Sequence, residues 1–242
     1  MIPIDAQPED PVFWGYQDLA IFLGMVLPAI VAAAAATHLF FLFLGGAPKA
    51  PAVPLLIPQF LAYGLLFLAL YLLFKLKYGR PFWSSLGFLR PPGGFSRETV
   101  TGPLLALAVA LGGVVLRTPD IDNPMTMLLK DPVSIALVGL FAVTLGPLCE
   151  ELIFRGFLQP LLQRTFGAIA GIFGASFLFA LLHGPQYGWS WRHVLLLILA
   201  SAVFGWSRHR TGSTAAAALM HAAYNFTFFL FFVLGKELPG QW

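Results

Sequence analysis

Long apolar stretches alternate with short polar or Gly/Pro-rich breaks along this chain, and the length of those stretches decides its class. An α-helix rises ~1.5 Å per residue, so roughly 20 apolar residues cross the hydrocarbon core of a bilayer. The first stretch runs from about Leu19 to Leu44 and stops at Gly45, Gly46 and Pro48. The second covers about Val53 to Phe74 and ends at Lys75, Lys77 and Arg80. Residues 81–99 mix Phe82, Trp83, Phe88 and Leu89 with Arg90, Pro91, Pro92 and Arg97, which predicts a segment lying at the interface. A third run spans about Val100 to Leu116, followed by a polar loop with Asp120, Asp122 and Pro124. The fourth starts near Val133 and continues as one helix through Glu150 to about Arg164. The fifth is Ala168–Leu182, the sixth His193–Trp206 and the seventh Thr214–Leu234. The pattern predicts an all-α, polytopic integral membrane protein with about seven transmembrane helices, or eight if a re-entrant segment is hidden. It reads as one membrane domain: residues 1–97 carry the first helices and the interfacial segment, and residues 98–242 carry the core.

Composition agrees. Hydrophobic residues make up 58% of the 242 and charged residues only 10%, where a soluble domain carries about a quarter. Mean hydropathy is +0.81. The net charge of +3 does not point to nucleic acid, because Lys and Arg fall in short loops where they orient helices. With the N-terminus inside, Lys75, Lys77, Arg80, Arg90, Arg97, Arg155, Arg164, Arg208 and Arg210 face the cytoplasm, against Lys49, Arg117, Lys130, Arg192 and Lys236 outside. That count favours N-in and C-out. Asp5, Glu9, Asp10 and Asp18 occupy the N-terminal flank, the wrong sign for a cleavable signal. Cys149 is the only cysteine, which excludes an intramolecular disulfide, and it reads as a small buried hydrophobe rather than a nucleophile.

Ionisable groups in membrane helices are costly and mark function or a buried partner. Glu150 and Glu151 stand inside the fourth run, in Gly146-Pro147-Leu148-Cys149-Glu150-Glu151-Leu152-Ile153-Phe154-Arg155. Neighbours on a helix point ~100° apart, so the two glutamates have different surroundings. Glu151 precedes Arg155 by four residues, the favoured order for an ion pair, which leaves Glu150 without a local partner and makes it the candidate general base. His183 ends the fifth run just before Gly184-Pro185. Runs four and five meet at a tight turn near Thr165, Phe166 and Gly167. Glu150 lies sixteen residues before Phe166 and His183 seventeen after it, so both sit about 25 Å from the turn at one height. His221 and Asn225 stack on one face of the seventh run at a spacing of four. An amide at membrane depth needs partners and is able to donate to an oxyanion. A lone membrane histidine is more often a packing residue, and His38, His193 and His209 read as interfacial or structural. Gly167 to Gly171 matches the small-residue pattern that lets a helix approach a neighbour.

Three segments, Glu150-Glu151-x-x-x-Arg155, Phe179-x-x-x-His183 and His221-x-x-x-Asn225, resemble in order and spacing the motifs of the CAAX-protease and bacteriocin-processing (CPBP, Abi) family. That family includes the type II CAAX prenyl endopeptidases, and the resemblance covers about residues 98–235. It implies an intramembrane endopeptidase in the cytoplasmic membrane of a prokaryote. Glu150 and His183 would activate a water, His221 and Asn225 would stabilise the oxyanion, and Glu151 and Arg155 would support them. Its partners would be membrane lipid and a peptide or protein substrate, including a lipid-modified one, and no nucleic acid. The family has also been called metallo; a zinc ion would take Glu150, His183 and His221. The chain has no His-Glu-x-x-His, and an amide as fourth member suits an oxyanion better than a zinc ligand set, which favours the metal-free form. The alternative within the family is a non-catalytic immunity or scaffold protein. A proton-coupled transporter fits less well, since there is no inverted repeat and no paired broken helix.

Overall fold

The computed structural model describes residues 12–121, 128–129 and 131–237. Asp5, Glu9, Asp10, Asp122, Pro124 and Lys130 lie outside the described residues, as does the Lys236 side chain. Eight helices account for most of the described chain, and no strand occurs among the described residues. They are α1 (Tyr16–Phe43), α2 (Ala52–Lys77), a short α3 (Phe82–Ser85), α4 (Ser96–Leu116), α5 (Pro132–Phe166), α6 (Ala168–His183), α7 (Trp191–Thr211) and α8 (Thr214–Glu237).

Six of them are long and apolar enough to cross a membrane by length and composition: α1, α2, α4, α5, α6 and α8. Their outward faces carry exposed apolar side chains such as Leu27, Val31, Leu111, Val114 and Val115, which suits lipid and not water. The sixth expected span, His193–Trp206, forms the body of α7 but is not among the six. Arg192 and His193 at one end and Arg208, His209 and Arg210 at the other bracket its apolar centre. From Val194 to Ser207 that centre measures about 21 Å, short of a core of roughly 30 Å. The helix packs instead against α4, α6 and α8.

Two acids are buried at helix starts: Asp18, expected in the N-terminal flank, in the first turn of α1, and Glu98 in the first turn of α4. Asp18 takes hydrogen bonds from Lys77 Nζ at 2.6 Å, Tyr78 OH at 2.7 Å and the Gly15 N–H at 2.8 Å, which ties the start of α1 to the end of α2. The interfacial segment is also anchored. Leu86 is fully buried, its carbonyl accepts from Thr214 Oγ1 at 2.6 Å, and the Gly87 carbonyl accepts from Thr214 N at 2.8 Å. Gly87 adopts φ +67°, and a Cβ there would meet Arg208 Nη2 at 2.4 Å, so the docking turn needs glycine.

Four apolar clusters occur among the described residues, and two of them join the most helices around the site. One joins α1, α2 and α5 through Trp14, Phe22, Leu66, Phe74, Phe157 and Leu161, and the Trp14 indole N–H donates to the Phe157 carbonyl at 3.0 Å. The other joins α4, α7 and α8 through Ala106, Ala200, Phe204, Ala217, Met220 and Tyr224. In the α5–α6 hairpin, a Cβ at Gly171 would meet Gln163 at 2.6 Å, which is the close approach its small-residue pattern predicts. Between α4 and α8, a Cβ on Gly102 would meet the Met220 carbonyl at 2.5 Å and the Ala223 Cβ at 2.8 Å.

We expect Gly102→Ala to lower the thermal unfolding midpoint, because neither obstacle is a flexible side-chain end; overpacking of this kind costs about 1–3 kcal/mol. Gly64→Ala, in α2 with nothing within 4 Å of its Cβ, should leave the midpoint unchanged or raise it. Equal midpoints for the two variants, measured in one detergent, would show that α4 and α8 are not in this contact.

Candidate active site

The local shape of α5 determines which way its polar residues face. Pro147 and Pro160 have no N–H, and the turns before them widen into π-helix at Phe141–Leu145 and Leu152–Leu158. Between the two wide turns, Gly146–Glu151 is a short α segment that carries both glutamates. In the first wide turn the Gly146 N–H reaches the Phe141 carbonyl, so the Ala142 carbonyl falls to Pro147, which has nothing to donate. Asn225 Nδ2 on α8 supplies that bond at 2.8 Å.

Glu150 faces two imidazoles. Its Oε1 lies 3.9 Å from His183 Nε2 and its Oε2 lies 3.9 Å from His221 Nε2. The hairpin therefore brings Glu150 and His183 together, and α8 adds His221 and Asn225 to the same centre. Both imidazoles are oriented from behind. His183 Nδ1 is 2.8 Å from the Phe179 carbonyl, which only accepts, so Nδ1 carries a proton and Nε2 is the nitrogen turned to Glu150. Phe179 also stacks on that ring at 4.4 Å between centroids. His221 Nδ1 is 2.9 Å from Glu151 Oε1, and Phe204 stacks on its ring at 4.7 Å.

Glu151 is the closed counterpart of Glu150. Its side chain is 0% exposed, against 21% for Glu150 and 25% for His183, so only the latter two open to a cavity. Glu151 Oε1 accepts from Arg155 Nη1 at 2.9 Å as well as from His221. Arg155, also 0% exposed, reaches across to α7, where Nη2 donates to the Ser201 carbonyl at 2.7 Å and to Ser201 Oγ at 2.5 Å. Its guanidinium lies over the rings of Phe179 and Phe204, 5.1 and 5.7 Å from their centroids. One buried network thus links α5, α7 and α8 and holds His221.

With this geometry in place, the comparison with known families becomes informative. Residues 132–227 match the family described as type II CAAX prenyl endopeptidase Rce1-like. The matched stretch contains all three motifs, from Glu150 to Asn225, and is consistent with the CPBP resemblance. The Rce1-like family is a family of proteases, and the match covers residues 132–227 of the 242. The helices α1, α2 and α4 lie outside the match. No curated protein and no solved structure matches the chain.

Those outer helices nevertheless wall the site. A cavity of about 1710 Å³ extends from Glu150, His183, His221 and Asn225 between α1, α2 and α4, and most of its lining is apolar. Tyr63 and Gln59 of α2, Tyr187 just past α6, and His193 of α7 line it as well. Tyr63 and Gln59 carry no sequence signal, since polar residues at helical spacing in a run the motifs do not reach look like ordinary interhelical contacts. His193, read as interfacial, is a wall residue stacked on Tyr187 at 5.1 Å. Cys149 is buried on the other side of α5 and is not in this cavity. Among the described residues, no group of three or more His, Cys, Asp or Glu side chains is arranged to hold a metal ion. The two Glu150 oxygens face different imidazoles, each at 3.9 Å.

Replacing Glu151 should damage the fold more than replacing Glu150. Breaking a buried pair leaves an uncompensated charge and costs about 3–5 kcal/mol, so we expect Glu151→Gln to reduce detergent-stable yield and lower the unfolding midpoint. Glu150→Gln, at a side chain partly open to the cavity, should unfold close to wild type. Matching midpoints for the two variants would show that Glu151 does not anchor the centre.

Proposed function

We propose that the protein is an intramembrane endopeptidase, and the observation that carries this reading is the Glu150 carboxylate facing two pre-oriented imidazoles at the head of a large apolar cavity. A separation of 3.9 Å is too long for a direct hydrogen bond and suits a bridging water. A water between Glu150 and His183 would donate to both, and Glu150 would take its proton as the oxygen attacks the scissile carbonyl. The tetrahedral oxyanion would form on the α8 side. There Asn225 keeps one N–H beyond the bond to Ala142, and His221, when protonated, donates from Nε2 while Nδ1–H stays on Glu151. Glu150 then returns the proton to the leaving nitrogen as the C–N bond breaks, giving a carboxylic acid and an amine.

The Rce1-like match supports proteolysis as the class of activity. The apolar walls contributed by α1, α2 and α4 suit a peptide delivered from the bilayer, including one that carries a lipid. We place the protein in the cytoplasmic membrane of a prokaryote, with the chain's own acid–base groups doing the chemistry.

Glu150→Gln in proteoliposomes should lower cleavage of a membrane-delivered lipopeptide by about 10²–10⁴-fold, the usual worth of a general base. His183→Ala should have a similar effect, and Asn225→Ala should lower kcat more than it raises KM. Wild-type turnover in Glu150→Gln would remove this carboxylate as the base. A cellular phenotype that survives all three substitutions would favour a non-catalytic immunity or scaffold role.

A further inference from the structure

A second concavity lies on the outside of the bundle and shares no lining residue with the central cavity. It is a groove of about 580 Å³ between α2 and α5. Its floor is Phe67, Leu68 and Tyr71 of α2 with Leu148, Cys149 and Leu152 of α5, and its upper end holds Lys75, Arg80 and Trp83. Leu68, Tyr71, Lys75 and Trp83 are all exposed, so the groove opens away from the bundle. On α2, Phe67, Tyr71 and Lys75 follow at intervals of four, which stacks them in one line with the ammonium at its end. From Phe67 to Lys75 that line is about 12 Å long.

We propose that this groove binds an anionic phospholipid of the surrounding leaflet. An apolar channel capped by cations matches an amphiphile whose tail is hydrocarbon and whose head is negative, and basic pockets between transmembrane helices take such headgroups. The acyl chain lies along Phe67, Leu68, Tyr71, Leu148 and Leu152, and the phosphate sits between Lys75 and Arg80. Trp83 stands beside them at the depth where indole rings favour the headgroup boundary. The groove backs directly onto the stretch of α5 that bears Glu150 and Glu151 on its other sides, so a bound lipid packs against the helix that carries the central polar residues.

The test uses the full chain in nanodiscs and does not depend on catalysis. Trp83 fluorescence, isolated as the difference between wild type and Trp83→Phe, is titrated with phosphatidylglycerol or phosphatidylcholine carrying brominated chains. The expected result is quenching by phosphatidylglycerol at roughly a fifth of the mole fraction needed for phosphatidylcholine, as one near-surface cation supplies. Lys75→Gln should remove most of that difference. Native mass spectrometry provides a second measurement: wild type should retain a phosphatidylglycerol molecule that Lys75→Gln loses. Equal quenching by the two lipids, meaning bulk lipid contact only, would overturn the site, and so would a preference that survives Lys75→Gln.

Discussion

A guanidinium buried among transmembrane helices must be balanced within bonding distance, and Arg155 imposes that condition on everything around it. Its partners come from three helices: Glu151 on α5, Ser201 on α7 and, through Glu151, His221 on α8. The rings of Phe179 and Phe204 flank the guanidinium on its other sides. The helices are thereby held in a fixed rotation about their axes, which apolar packing in lipid specifies poorly because hydrocarbon tails compete equally for Leu and Phe. Stability and site geometry rest on the same bonds.

The neighbouring glutamates show how one residue step divides two tasks. Glu151 is consumed by structure, with both a cation and an imidazole on a single oxygen. Glu150, turned about 100° away, meets only imidazoles and the cavity. The histidines differ in the same manner. His183 is steered by a backbone carbonyl and His221 by a carboxylate, and each turns its Nε2 toward Glu150.

Much of this was legible in the chain, where the physics is local or one-dimensional. Apolar run length identified the spanning helices, the four-residue spacing paired Glu151 with Arg155, and counting along two arms of a hairpin brought Glu150 level with His183. The remainder depended on lateral contacts that no spacing encodes. The Ser201 partner of Arg155, the hold of Glu151 on His221, and the place of Tyr63 and His193 in the cavity wall all join helices distant in sequence. Asp18 and Glu98 were missed because a buried helix start and an exposed flank read alike until Lys77, Tyr78 and Ser207 are seen to cover them. The α7 helix has an apolar centre bracketed by charged ends and is not among the six that meet the length and composition of a span.

Pro147 has an effect that reaches well beyond its own turn. An amide side chain can be turned end for end with almost no change in shape, so a hydrogen-bond partner has to choose between the two. The missing N–H at Pro147 makes that choice, because the stranded Ala142 carbonyl accepts only a donor. The nitrogen end of Asn225 is thus pinned, and its second hydrogen and its oxygen are left with set directions. A residue with no side-chain donor or acceptor of its own, 78 positions earlier in the chain, therefore determines the polarity that α8 shows to the cavity.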